Sequence, residues 1–229
     1  ECIKNINKKI KFYQASTSEL YGISKDKTQN EKTPFYPRSP YSAAKLYAHW
    51  ITINYREAYG IFACNGILFN HESPLRGETF VTKKIISGMV KIKYGFEKKL
   101  YLGNLYSKRD WGHAKDYVKA MWLMLQQRKA DDFVIATGKQ YSIRDFVNMV
   151  AKELDIKITW KGTGINTKGV DKKGNIIIEC HKKYYRPSEV NSLKGSSNKA
   201  KKKIGWKPEV SIKELIKEII QFEKKTLKI

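Results

Sequence analysis

The sequence predicts an α/β fold, a doubly wound parallel sheet with a smaller α/β domain attached. Three observations predict it. Short apolar runs near 9–17, 61–68, 98–103 and 132–137 alternate with helix-length amphipathic segments near 40–59, 79–95, 113–127 and 142–154. Alternation of this kind builds a parallel sheet covered by helices. The first run closes on the small residues Ala15, Ser16 and Thr17, the last two polar, as a buried strand does when it delivers its last side chains to a sheet edge. Finally, 229 residues with 41% hydrophobic content suffice for a sizeable core.

The elements follow in order. Residues 1–6 read as the tail of a helix leading into the strand at 9–17. Ser39 followed by Pro40 reads as an N-cap and first helical residue, and the helix continues through Ala43, Ala44, Leu46, Trp50 and Ile51. Ser142 with Asp145, and Ser211 with Glu214, have capping-box spacing. The second opens a terminal helix with apolar positions at Ile212, Leu215, Ile216, Ile219 and Ile220. Residues 160–183 are rich in Gly, Lys and Asn, with one short strand expected after Asn175 and a loop at Gly162-Thr163-Gly164. Lys199, Lys201, Lys202 and Lys203 fall in a short polar helix before Gly205 and Trp206, and read as a solvated face.

Chemistry concentrates at two places. Thr17 and Glu19 stand at the carboxyl end of the first strand, where open α/β sheets bind their ligands. Tyr41 and Lys45 are i and i+4 on one face of the helix that follows. An ammonium close to a phenol favours the phenolate, so Tyr41 can serve as a general base. A hydroxyl, a carboxylate, a phenol and an amine that meet one ring describe a redox-assisted sugar enzyme.

Six ordered stretches extend the pattern: Phe-Tyr-Gln-Ala-Ser-Thr-Ser-Glu-Leu-Tyr-Gly at 12–22, Pro-Phe-Tyr-Pro-Arg-Ser-Pro-Tyr at 34–41, Asn-Gly-Ile-Leu-Phe-Asn-His-Glu-Ser-Pro at 65–74, Lys-Arg-Asp-Trp-Gly-His-Ala-Lys-Asp-Tyr at 108–117, Asp-Phe-Val-Ile-Ala-Thr-Gly at 132–138 and Tyr-Tyr-Arg-Pro-Ser-Glu-Val at 184–190. With them the chain resembles the extended short-chain dehydrogenases/reductases of the nucleotide-sugar branch, and within that branch the GDP-mannose 4,6-dehydratases. The resemblance implies a partial Rossmann-type sheet. Residues 1–70 would be the C-terminal part of the cofactor-binding domain, and 71–229 mainly a nucleotide-sugar substrate domain, with 104–138 returning to the Rossmann sheet. Such folds open on a strand and a Gly-rich turn that cradles the cofactor pyrophosphate, and no such turn stands in these residues. The chain is therefore expected to be a C-terminal portion, with roughly 100 or more residues preceding it.

The same resemblance implies site residues. Tyr41 would take the proton of the sugar 4-hydroxyl as hydride leaves C4 for NADP, and Lys45 would support Tyr41 and hold the nicotinamide ribose. Glu19 would remove the C5 proton and assist loss of the 6-hydroxyl, and Thr17 would hydrogen-bond the 4-oxygen. Asn70, Val81, Lys84, Arg109, Arg186 and Glu189 match positions that hold the GDP moiety of GDP-mannose, and His71 and Arg76 match positions near NADP. Where the family often has two arginines, this chain has Leu75-Arg76. A homo-oligomer, dimer or tetramer, is implied as well.

Composition limits the alternatives. The net charge is +23, yet only seven of 45 basic residues are arginine, and the lysines are scattered. Specific nucleic-acid recognition favours the bidentate fork of arginine, so no nucleic-acid partner is expected. No apolar run approaches the ~20 residues of a membrane span. Cys2, Cys64 and Cys180 have neither zinc-site nor disulfide-framework spacing, which predicts no metal and fits a reducing cytoplasm. Another nucleotide-sugar dehydratase or 4-epimerase of the same fold, and a non-catalytic basic binding protein, stay open. Glu19 favours elimination, because the epimerases lack that carboxylate, and Ser18 stands where dTDP-sugar enzymes place Asp.

Overall fold

A computed structural model describes residues 1–185 and 188–229. In chain order the first half forms α1 (Cys2–Ile6), β1 (Phe12–Thr17), α2 (Pro40–Tyr59), β2 (Ala63–Leu68), β3 (Asn70–Glu72), α3 (Val81–Lys93), β4 (Leu100–Leu102), β5 (Lys108–Arg109) and β6 (Trp111–His113). The second half adds α4 (Ala114–Leu125), β7 (Phe133–Ile135), β8 (Tyr141–Ser142), α5 (Ile143–Glu153), β9 (Thr159–Lys161), β10 (Lys168–Val170), β11 (Ile176–Cys180), α6 (Asn198–Ile204) and α7 (Ile212–Thr226). These elements sort into two compact units, each assembled from separate stretches of chain. Glu1–His71, Asp110–Gln140 and Ser192–Glu209 make the first; Glu72–Arg109, Tyr141–Asn191 and Val210–Ile229 make the second.

The first unit is built on a parallel sheet in the order β1-β2-β7. Phe12 to Thr17 pair in register with Ala63 to Leu68, and Gly66 to Leu68 with Phe133 to Ile135. β2 is buried along its whole length, which is why it reads as a near-continuous apolar run rather than an alternating one. A buried cluster joins Cys64 and Leu68 of β2 to Tyr117, Ala120 and Met124 of α4 and to Ala200, Ile204 and Trp206 at α6. Trp206 is 1% exposed and donates its indole N–H to Asp116 O at 2.7 Å. The short basic helix α6 is thus anchored by its apolar side. Its Lys199 and Lys203 pair with Asp131 at 2.6 and 3.0 Å.

The second unit carries a mixed sheet in the order β4-β11-β10-β9. β4 runs parallel to β11, and β10 is antiparallel to both β11 and β9. The strand expected at 98–103 therefore lies in this sheet and not in the parallel sheet of the first unit. Its one-residue alternation, buried Leu100 and Leu102 around exposed Tyr101, is that of a half-covered sheet. β9 and β10 were not expected: each is three residues long and flanked by Gly, Lys and Asn, which are depleted in strands, although both pair with their immediate neighbours in the chain. The expected loop at Gly162-Thr163-Gly164 is a loop at Gly162 and Thr163, and Gly164 opens a turn of 3₁₀ helix over Gly164–Asn166. Helices α3, α5 and α7 pack on one another, and α7 opens with the expected capping box between Ser211 and Glu214. The third crossing into the first unit, Ser192–Glu209, has no counterpart in the sequence reading.

Candidate active site

β1 delivers its final residues to the carboxyl edge of the parallel sheet, and Thr17 closes the strand there. Its hydroxyl accepts the Glu19 N–H at 3.3 Å and caps the 3₁₀ turn Ser18–Leu20. This cap holds Glu19, half-buried, at the strand tip. The turn is fixed from behind: Tyr36 N–H donates to Leu20 O at 2.8 Å. Gly22 adopts a φ of +51°, and a Cβ there would stand 1.7 Å from Tyr36 O, so only glycine lets the two segments approach.

Helix α2 brings the second pair of groups. Ser39 and Ser42 form a reciprocal capping box with Pro40 at the first helical position. Tyr41 stands one residue into the helix and is 56% exposed. Lys45 lies one turn further along, its Nζ 5.8 Å from the Tyr41 ring centroid. The Lys45 ammonium donates to Ala15 O at 2.9 Å, so this helix face is held against the end of β1 two residues before Thr17. The four residues read from the sequence as catalytic are brought to one strand tip.

Beneath them lies a buried polar network that the sequence reading missed. Ser16 Oγ and His49 Nδ1 are 3.0 Å apart, and Ser16 Oγ donates to Asn65 Oδ1 at 3.4 Å. Asn65 Nδ2 donates to His49 O at 3.3 Å and to Asp132 Oδ1 at 2.9 Å. Asp132 closes the chain through two parallel bonds from Arg56, each 2.8 Å. Burial pushes the His49 imidazole below its ordinary value. Burial also acts to raise the Asp132 carboxyl, but the Arg56 guanidinium and Asn65 hold it below the usual carboxylate range. One signal for His49 was present in the sequence: it continues the Tyr41–Lys45 spacing by another four residues.

The residues expected at the cofactor and the GDP moiety are distributed between the units. In the first, Asn70 begins β3, and its buried Oδ1 has no hydrogen-bond partner among the described residues. His71 Nδ1 is 2.9 Å from Phe69 O, and its ring stacks on Tyr117 with centroids 4.9 Å apart. In the second, Arg76 pairs with the buried Glu72 at 3.1 Å and lies 3.4 Å from the Phe80 ring centroid. Burial raises the Glu72 carboxyl, against Arg76 and a bond from Thr82 Oγ1 at 2.8 Å. Val81 opens α3, and Lys84 stands over the Tyr184 ring at 3.4 Å. Arg109 is 8% exposed. It donates to the carbonyls of Lys108 and Val190 at 2.9 and 2.7 Å and lies 3.6 Å from Glu189. Glu189 Oε1 in turn accepts from Ser107 Oγ at 2.9 Å. Arg186 lies outside the described residues.

Fit to a nicotinamide cofactor can be judged at one end. Lys45 uses a single N–H on Ala15 O at the ligand edge, and an ammonium has three donors, so ribose hydroxyls fit there. No glycine-rich turn in these residues joins a strand to a helix, so they offer no pyrophosphate cradle. Among the described residues no cluster of His, Cys, Asp or Glu could hold a metal.

The parallel sheet, the strand-tip hydroxyl and carboxylate, and the Tyr-Lys helix define the Rossmann-type class of short-chain dehydrogenases/reductases. Solved structures agree on the fold. A dTDP-glucose 4,6-dehydratase from Bacillus anthracis, in complex with NAD, superposes with a TM-score of 0.80 at 23% identity, over 99% of this chain and 65% of its own. RMD from Pseudomonas aeruginosa, complexed with NADPH, gives 0.79 at 20% identity, over 94% and 66%. Within that class, residues 1–219 match the GDP-mannose 4,6 dehydratase family, and the chain belongs to it. It is 54% identical over 226 residues to the GDP-mannose 4,6-dehydratase of Vibrio cholerae, covering 94% of this chain and 61% of that protein. It is 57% identical over 216 residues to that of Dictyostelium discoideum, with coverage of 94% and 61%. The chain thus spans about three fifths of the length of these relatives.

Proposed function

We propose that the whole protein is an NADP-dependent GDP-mannose 4,6-dehydratase, a lyase that converts GDP-mannose to GDP-4-keto-6-deoxymannose. The observation that carries the reading is the convergence of Thr17, Glu19, Tyr41 and Lys45 at the tip of β1, tied by the 2.9 Å bond from Lys45 to Ala15 O. Tyr41, the base, takes the proton of the sugar 4-hydroxyl and is left as the neutral phenol, Lys45 supports Tyr41 and meets the ribose, and Thr17 holds the 4-oxygen. Once C4 is a ketone its neighbour C5 is acidic, and Glu19 removes the C5 proton while the 6-hydroxyl departs. Of the two protons collected, one leaves in water and the other returns to C5. NADP, held at Lys45, would supply the redox chemistry as a reversible hydride acceptor. Asn70, Val81, Lys84, Arg109, Arg186 and Glu189 are assigned to the GDP moiety, and His71 and Arg76 to the cofactor side. Support for a ligand at Asn70 comes from its unpartnered buried oxygen. A homo-oligomer in the cytoplasm completes the reading, in keeping with three free cysteines.

Replacement of Glu19 tests it. Glu19→Gln keeps the size and removes the base, so hydride transfer to cofactor should persist while dehydration falls by about 10²–10⁴-fold. Reduced cofactor should then accumulate at 340 nm. A Glu19→Gln protein that dehydrates GDP-mannose at the wild-type rate would strip Glu19 of the role.

A further inference from the structure

We propose that His49 is the positioning residue of this site: its bond to Ser16 fixes α2 against β1, and so sets where Tyr41 and Lys45 stand relative to Thr17 and Glu19. The proposal rests on the dehydratase reading only for the reaction used as one of its readouts.

Tyr41, Lys45, His49 and Thr52 lie on one stripe of α2, at successive steps of four, four and three residues. Exposed Tyr41 takes its place from the helix that carries it. That helix meets β1 through two side chains one turn apart, Lys45 on Ala15 O and His49 on Ser16 Oγ, which reach consecutive residues of the strand. Further along, Arg56 of the same helix is held by Asp132 and Ala63 O, so these two bonds set the rotation and register of the end of α2 that carries Tyr41, and loss of one loosens that end.

The two anchors differ in kind. Lys45 stands at the ligand edge, where its ammonium is shared with whatever binds there. His49 is 3% exposed, enclosed by the Phe35 ring at 5.0 Å and by Ser16 and Asn65, so no ligand competes for it. Asn65 reinforces the link by donating to His49 O, and its amide is oriented by Asp132. The anchor that persists when the site fills is therefore His49–Ser16. Ser16 immediately precedes Thr17, so displacement of either partner moves the base and the hydroxyl apart. Reactive groups misplaced by about 1 Å can lose about 10²-fold in rate.

Three single variants of the whole protein, His49→Leu, His49→Gln and Ser16→Ala, and one double variant test this. Gln retains a group able to bond Ser16, whereas Leu fills the space without one. His49→Leu and Ser16→Ala should each lower kcat with GDP-mannose about 10- to 100-fold, with KM within about threefold, and His49→Gln should recover most of the loss. The double variant His49→Leu with Ser16→Ala should be no slower than the worse single one. Amide exchange gives a readout independent of turnover. Peptides covering residues 40–46 should exchange faster in His49→Leu than in His49→Gln, while α7 peptides remain as in wild type. Wild-type protein without dehydratase activity would overturn the reading of function and leave the exchange result to judge His49. Gln no better than Leu in kcat and in exchange, or a loss in Leu spread evenly over α7 as well, would overturn the positioning role.

Discussion

Asp132 sits where α2, β2 and the start of β7 meet, and Arg56 is what keeps its charge tolerable. Both side chains are under one fifth exposed, so removing the guanidinium strands a carboxylate beside Asn65. Arg56→Met should cost about 3 kcal/mol, the low end for breaking a buried pair, measured by urea unfolding at neutral pH. The pH dependence has a definite sign. The folded carboxyl is held below its ordinary value, and an unfolded aspartate titrates near about 3.9. The pair's contribution is thus complete above that value and is lost as pH falls through the folded one. Wild type should therefore lose stability on acidification more steeply than Arg56→Met. Equal slopes would show that Asp132 draws nothing from Arg56. Of the residues in this network the sequence offered a hint only for His49, because hydrogen bonds between residues 16, 49, 65 and 132 cross three elements and have no local signature.

At the scale of elements, the caps and faces were legible. Pro40 after Ser39, and the boxes at Ser142 and Ser211, open helices where local hydrogen-bonding rules require. The segment that returns to the first unit was not legible, since its pairing is long-range. Gln29 N–H donates to Lys194 O and Ser196 N–H to Gln29 O, each at 2.8 Å. Asp110 gathers the same region, accepting from Thr137 N, Gly138 N and Gly195 N at 2.9, 2.9 and 3.3 Å. Gly195 is a packing requirement at this junction: a Cβ would stand 2.3 Å from Ala136 Cβ and 2.7 Å from the Phe69 ring. Gly195→Ala should cost about 1–3 kcal/mol, visible as a lower urea midpoint. An unchanged midpoint would mean that the segment shifts freely and does not clamp the β7 end.

Over the whole molecule the dominant physical fact is the net charge of +23. Like charges at this density repel in the compact state. Raising salt from about 0.01 to 0.15 M shortens the screening length from about 30 to about 8 Å. The thermal midpoint should then rise by roughly 2–4 °C, the equivalent of about 1 kcal/mol in a chain of this size. A midpoint that falls over that range would mean that surface pairs such as Lys119–Glu209, at 2.7 Å, outweigh the repulsion.

The sequence by itself determined the α/β alternation, the helix starts, the strand tip with Thr17 and Glu19, and the Tyr41–Lys45 face, because each depends on residues within a few positions of one another. Only the tertiary structure decided which strands share a sheet, the interleaving of the two units, and the buried Ser16–His49–Asn65–Asp132–Arg56 chain. Those are set by pairings tens of residues apart, where burial turns individually ordinary side chains into partners that must satisfy one another's hydrogen bonds.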